Sequence, residues 1–206
     1  MKQYMICMMV FGLLLAVTQT SSAVPQKGVL RVSGDNTWVA FVNGEKVAEA
    51  ADWQRPTVSE FDLKNGFAVI AIYVHDAEPG AAGRGGFLAD IILDDDPEYI
   101  GTGEPGWVCD AGEVLAQRKD GWEKPDFDDS KWAELQLYEQ FGGGIWGFGA
   151  ATMRQILKDP DCTAFWAWCG PNDGEDEVYF RFTIGTLPVE PQGKLATTWA
   201  ALKSTR

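Results

Sequence analysis

The residues able to do chemistry are few in this sequence, and their spacing argues against catalysis. The single histidine, His75, stands beside Asp76, which would begin a general-base arrangement, yet no Gly-x-Ser-x-Gly elbow supplies a nucleophile for it. A lone histidine at a strand end is more often structural. No His-Glu-x-x-His or Cys-x-x-Cys spacing offers a zinc site. Glu60 and Asp62 have the spacing of paired carboxylates on one face of a strand, a pattern glycosidases use but any acidic surface also produces. The run Gly101-Thr102-Gly103-Glu104-Pro105-Gly106 satisfies the dinucleotide-binding expression letter by letter. Its proline, and the lack of a helix opening after a long parallel strand, remove it. No catalytic residue is assigned, and the chain reads as non-enzymatic.

Binding is better supplied. A sugar offers a flat apolar face edged with hydroxyls, so its site combines an aromatic ring with carboxylates, amides or arginine. Of the nine tryptophans, Trp38, Trp166 and Trp168 fall inside strand patterns and Trp132 on a capped turn, which marks them as core. Trp53, beside Asp52 and Arg55, and Trp146, shortly after a run of glycines, have no such periodicity. Loops of a sandwich gather at its ends, where Asp76 and Arg84 would join one of these rings. Trp53, Asp76, Arg84 and Trp146 are therefore the candidate ligand-binding residues, although packing against a loop is the commoner fate of such tryptophans.

A net charge of −13 repels phosphate backbones and anionic lipid heads, so nucleic acid is excluded as a partner. The same acidity makes calcium the cofactor to consider, at Asp94-Asp95-Asp96 or at Asp126, Asp128 and Asp129. Neither cluster has the EF-hand order. Tyr99 and Lys131 stand where its glycine belongs, and Pro105 and Leu137 where its terminal glutamate belongs. Solvated loops explain both clusters more simply, and no metal ligands are assigned.

Residues 1–23 read as a secretory signal: Lys2, an apolar stretch from Tyr4 to Val17, then small residues with Ser21 and Ala23 before the cut. The stretch is too short for a membrane span, and no later one is apolar enough. Secretion into an oxidising compartment is the expectation. Cys7 leaves with the signal, so Cys109, Cys162 and Cys169 remain as an odd set. If Ala164–Trp168 is a strand at ~3.3 Å per residue, Cys162 and Cys169 lie roughly 20 Å apart, beyond the ~7 Å reach of a disulfide. Cys109 then pairs with Cys162 or Cys169, and the spare thiol is either buried or links two chains as a disulfide-bonded dimer.

The elements that must position these groups are mostly strands. Asn43-Gly44 between Val39-Ala40-Phe41-Val42 and Lys46-Val47-Ala48 is a strong hairpin signal, since both residues tolerate positive φ. Ser59 to Leu63 alternates, Asn65-Gly66 turns, and Phe67 to Val74 is an apolar run suited to a strand covered on both faces. Phe87 to Leu93, Phe165 to Trp168 and Val178 to Ile184 read as further strands. Asp128-Asp129-Ser130 reads as the cap of a short helix carrying Trp132 and Leu135, and Ala150 to Leu157 as another. The class is all-β, an antiparallel jelly-roll sandwich with one or two short helices. The expected organisation is a signal (1–23), the sandwich (24–186), and a linker with a short amphipathic tail (187–206) carrying Leu195, Trp199 and Leu202 at helical spacing.

Several pieces resemble galactose-binding-like β-sandwich domains, the jelly rolls attached to α-L-rhamnosidases and related glycoside hydrolases. Gly34-Asp35-Asn36 followed by Ala40-Phe41-Val42-Asn43-Gly44 is similar to their "D-N…N-G" hairpin. Gly66 to Val74 is similar to their "G-x-N-x-I-A-V" strand, with Ala68 in place of the asparagine. Gly121-Trp122 and Phe127-Asp128-Asp129-Ser130-Lys131-Trp132 resemble "G-W" and "F-D-D-S-x-W". Ile145-Trp146-Gly147 resembles "P-W-G" with Ile145 for proline, Ala164 to Trp168 resembles "A-x-W-I-W", and Val178-Tyr179-Phe180-Arg181 matches "V-Y-F-R". The pieces keep the family's order from Val29 to Ile184. The resemblance implies the sandwich fold and, less directly, an extracellular glycan or glycoprotein as partner, because one fold hosts many ligands. The competing expectation is a structural matrix or adhesive protein that uses its acidity to hold calcium.

Overall fold

The computed structural model describes residues 24–78, 83–94, 99–112, 121–143 and 151–187. The signal, Trp146 with the rest of its motif piece, and the tail from 188 onward lie outside them. The described residues form two antiparallel sheets. Strands β1 (Lys27–Asp35), β4 (Thr57–Asp62), β6 (Gly86–Leu93), β10 (Gln136–Gln140) and β11 (Phe165–Trp168) make the first, in the order β10-β11-β6-β1-β4, with β7 (Ile100–Gly101) also pairing with β6. The second runs β3-β2-β5-β12-β8-β9, from β2 (Thr37–Val42), β3 (Glu45–Ala50), β5 (Ala68–His75), β8 (Val108–Ala111), β9 (Ala133–Glu134) and β12 (Glu177–Ile184).

The expected turns close as their chemistry requires. Asn43 and Gly44 have φ of 51° and 87°, and Asn65 and Gly66 have 56° and 75°, a region glycine and asparagine tolerate best. The alternation of β2 buries Trp38, Ala40 and Val42 against Val74, Ile72 and Ile70 of β5. With Val178, Phe180 and Phe182 of β12 they face Leu30, Val32, Phe87, Ala89, Ile91 and Trp168 of the first sheet across one core. Phe87 stacks on Phe180 at 4.0 Å between ring centroids, joining the two sheets at the centre.

A second, smaller core lies on the outer side of the first sheet. Leu88 and Trp166 point outward there and are covered by Met153 and Leu157, carried by the helix α1 (Ala151–Ile156) and the turn after it. Beside it, Arg31 and Asp90 form a buried ion pair, with Arg31 Nε donating to Asp90 Oδ1 at 2.6 Å. Arg31 Nη1 also donates to the carbonyls of Ile156 at 2.9 Å and Asp159 at 2.7 Å. A cation is thereby set against carbonyls at the C-terminal end of α1, where the helix leaves them without internal partners. Tyr99 Oη donates to Asp90 Oδ2 at 2.9 Å and accepts the backbone N–H of Thr163 and Ala164.

The motif pieces that carry the resemblance converge on Arg181. Its Nε donates to Asp129 Oδ2 at 2.7 Å and its Nη1 to the carbonyls of Trp122 and Lys124, while its guanidinium lies over the rings of Phe127 and Trp132. These residues pin the 121–132 segment onto the outer side of the second sheet. The short helix expected after Asp128 is absent. Asp128 Oδ1 instead accepts the Ser130 N–H at 3.1 Å in an Asx turn, the Trp132 N–H reaches the Asp129 carbonyl, and Ala133 then pairs with Cys109 as strand β9. Aspartate followed by serine caps turns as readily as helices, and here the clamp on Arg181 decides between them.

Candidate functional site

Cys109 pairs with Cys169 across 5.6 Å between Cα atoms, one of the two pairings the sequence left open, and ties β8 of one sheet to the end of β11 in the other. Cys162 is the spare thiol. It is half-buried with its sulfur 3.5 Å from the Tyr99 hydroxyl oxygen, and burial together with the nearby Asp90 carboxylate pushes it up to about 11. That is a protonated, shielded thiol, a poor partner for cross-linking.

β1 and β5 end, and β2, β6 and β12 begin, at one pole of the sandwich. There the chain is knitted by main-chain and amide contacts. Asn36 N–H donates to the His75 carbonyl at 2.8 Å, Asp76 N–H to the Asp176 carbonyl at 2.9 Å, and Gly85 N–H to the Asn172 carbonyl at 2.8 Å. Asn36 Oδ1 accepts the Ala77 N–H at 2.5 Å, and Asn172 Nδ2 donates to the Gly85 carbonyl at 3.2 Å. Four segments, around residues 35, 76, 84 and 174, thus form a fixed rim.

Within that rim, polar atoms outnumber partners. Asp35 Oδ1, His75 Nδ1 and Trp38 Nε1 are all buried without a hydrogen-bond partner among the described residues. They do not share one face: Trp38 turns into the core with Ala40 and Val42, His75 alternates with Val74 toward the outer side of the second sheet, and Asp35 alternates with Gly34, as Ser33 and Arg31 do, toward the outer side of the first. Burial, then the neighbouring Asp76 and Glu78 carboxylates, push the Asp35 carboxyl up to about 6. Asp76, only 3 % exposed, is also raised, first by burial, while the Glu78 N–H it accepts at 3.0 Å pulls the other way. Buried polar groups are normally paired, so the unpaired Asp35 oxygen opposite the Asp76 and Glu78 carboxylates is a place where a hydroxylated or cationic ligand would gain.

The sequence candidates divide. The backbone just before Arg84 passes close to Asp76: a Cβ added to Gly83 would stand 2.7 Å from Asp76 Oδ2, and Arg84 itself is exposed. Trp53 is elsewhere. It stands edge-on to Trp166 at 6.1 Å between centroids, packed on the smaller core, and its carbonyl accepts the Ser33 hydroxyl. Its lack of strand periodicity reflects a loop folded over the outer side of the first sheet. Trp146 lies outside the described residues. Asp35 and the neighbouring Asn36 were not among the sequence candidates, although both belong to the hairpin piece that carries the resemblance, while Trp38 is core as its strand pattern indicated.

Asp94, Asp128 and Asp129, from the two acidic clusters weighed for calcium, have structural work, while Asp95 and Asp96 lie outside the described residues. Asp94 Oδ1 accepts the Gln26 and Lys27 N–H groups at 2.9 and 2.8 Å, while Asp128 and Asp129 hold the turn and Arg181. Among the described residues no group of three His, Cys, Asp or Glu side chains is placed to hold a metal ion. None of their helices is long and apolar enough to cross a membrane.

Comparison with known proteins agrees with the motif reading. The chain is 30% identical over 128 residues to an α-L-rhamnosidase of Streptomyces avermitilis, a match covering 57% of this chain and 12% of that protein. It therefore spans only a small part of that relative. Among solved structures, that rhamnosidase complexed with L-rhamnose superposes with a TM-score of 0.46 at 25% identity, over 61% of this chain and 12% of the other. A lectin of Pleurotus ostreatus in its apo form gives 0.49 at 13% identity, over 79% and 63%. No family model matches the chain. The chain is thus a β-sandwich similar to a region of a rhamnosidase.

Proposed function

We propose that this protein is a secreted, non-catalytic module that binds a carbohydrate at the pole formed by Asp35, His75, Asp76 and Arg84. The observation carrying this reading is the buried, unpaired Asp35 oxygen beside the Asp76 and Glu78 carboxylates at the β1–β2 corner. Sugar hydroxyls both donate and accept, so one at the rim would satisfy that oxygen. Arg84, exposed on the rim, supplies a flexible donor. Similarity to part of a rhamnosidase adds support and makes rhamnose-terminated glycans, free or carried on glycoprotein, the first to try. No reacting group with its helpers accompanies His75, and Glu60 and Asp62 lie exposed on the edge strand β4.

The test is a glycan array read with and without calcium, because mutually repelling carboxylates would also gain from a divalent cation. Asp35→Ala and Arg84→Ala should abolish or strongly weaken the signal, and Trp53→Ala should leave it intact. Calcium uptake or disulfide-linked dimers with no glycan signal would favour the matrix reading; hydrolysis of aryl glycosides would overturn both.

A further inference from the structure

Next to the proposed pole, the outer side of the second sheet presents two tyrosines side by side. Tyr73 of β5 pairs with Tyr179 of β12 and with Val39 of β2, all pointing away from the core and all half-exposed. The two rings are 4.9 Å apart at their centroids and tilted by 51°, and Trp122 stands edge-on to Tyr179 at 5.0 Å. An open groove of about 430 Å³ runs alongside, lined by Thr37, Val39, Glu49, Ala50 and Tyr73. It begins at Thr37, which pairs with His75 at the pole end of β5, so it opens at that end of the sandwich.

We infer that this flank is a second subsite, which takes the following units of a neutral oligosaccharide whose terminal sugar occupies the pole; the inference rests on that reading. The ring faces suit the apolar faces of pyranose units. Their tilt prevents one flat surface from lying on both, which fits a soluble chain whose successive rings turn relative to each other rather than a crystalline polymer. The rim selects for charge. Glu49, which holds Lys46 at 2.8 Å in an exposed ion pair, lines the groove, and Glu177 stands beside Tyr73, where burial and then this carboxylate push the phenol up to about 12. Tyr73 is therefore a neutral phenol at ordinary pH. Carboxylates accept from hydroxyls and repel uronate or sulfate, so neutral chains bind and acidic ones do not.

Calorimetric titration separates this inference from the reading it depends on. The probes are methyl α-L-rhamnoside, a neutral rhamnose-terminated tetrasaccharide, and a tetrasaccharide with the same end and a uronate in its second unit. If the array identifies another sugar, the same series is built on that one. The neutral tetrasaccharide should bind ~10-fold more tightly than the methyl glycoside, about the gain of one or two ring contacts. Tyr73→Ala and Tyr179→Ala should remove that gain while leaving the methyl glycoside unchanged. Glu49→Gln, at an exposed position where folding is not at stake, should improve the uronate chain selectively. Equal affinity for short and long neutral probes, or a length advantage that survives both tyrosine variants, overturns the subsite and leaves the pole standing. Failure of every sugar to bind overturns both.

Discussion

Arg31 and Asp35 lie on the same strand, and each carries a charge out of water, but they meet opposite fates. Arg31 is tied to Asp90 and to carbonyls at the end of α1, and Asp90 is in turn held by Tyr99. Asp35 faces other carboxylates, and one of its oxygens has no partner among the described residues. The first is a closed structural clamp whose parts are useful only to each other. The second is an open valence, and such sites are where ligands act. The difference teaches that burial of charge alone does not mark a functional site, and the proposal for Asp35 rests on its incomplete pairing instead.

The comparison can be broken most forcefully at the clamp. Arg31→Ala should destabilise the protein by about 3–5 kcal/mol in urea unfolding, the usual effect of stranding one buried partner of an ion pair, without changing the affinity of the folded protein for sugar. Trp53→Ala comes next, at about 2 kcal/mol, because a half-buried ring leaves a smaller cavity over Trp166 than a core tryptophan would; sugar binding should again be unaffected. A loss of binding in either variant that remains folded would erase the distinction between the regions.

At the pole the expected pattern is reversed. The fold favours the protonated Asp35 carboxyl, raised from 3.8 to about 6, so its contribution to stability is complete below about pH 3.8 and is lost as pH rises through about 6. Asp35→Asn should therefore melt above the wild type at pH 7.5, with the difference shrinking to nothing near pH 4, while sugar binding falls. A variant that melts below the wild type at pH 7.5 would show that the carboxylate has a partner. The smallest effect is expected at Cys162: replacement by serine should shift stability by less than about 1 kcal/mol. Its reaction with iodoacetamide in the native protein at pH 7.5 should be far slower than that of an unfolded sample.

Much of this was legible in the sequence. The strands, the Asn43-Gly44 and Asn65-Gly66 turns and the candidacy of Cys109 for the disulfide follow from local rules of periodicity, backbone tolerance and reach. What escaped was non-local. Arg31 reads as the solvent-facing residue of an alternating strand until residues 151–163, remote in sequence, close over it. Trp53 reads as a free loop ring until Trp166 arrives beneath it. Asp128-Asp129-Ser130 carries a capping signature that helix and Asx turn share, and only Arg181 on a distant strand separates them. Asp76 and Arg84 were expected at one pole because strand ends gather there, and both stand at the end where β5 stops and β6 begins.

The opposite pole has its own meaning. Val24 lies against Gly66, and Gly66 against Gly185, so the chain enters β1 and leaves β12 at the end remote from Asp35. A fusion made at Val24 or Leu187 would therefore be attached at the end of the sandwich opposite the proposed sugar site. Like a hand held at the wrist, the domain can be tethered to a bead or a reporter there without the tether starting at the surface under test.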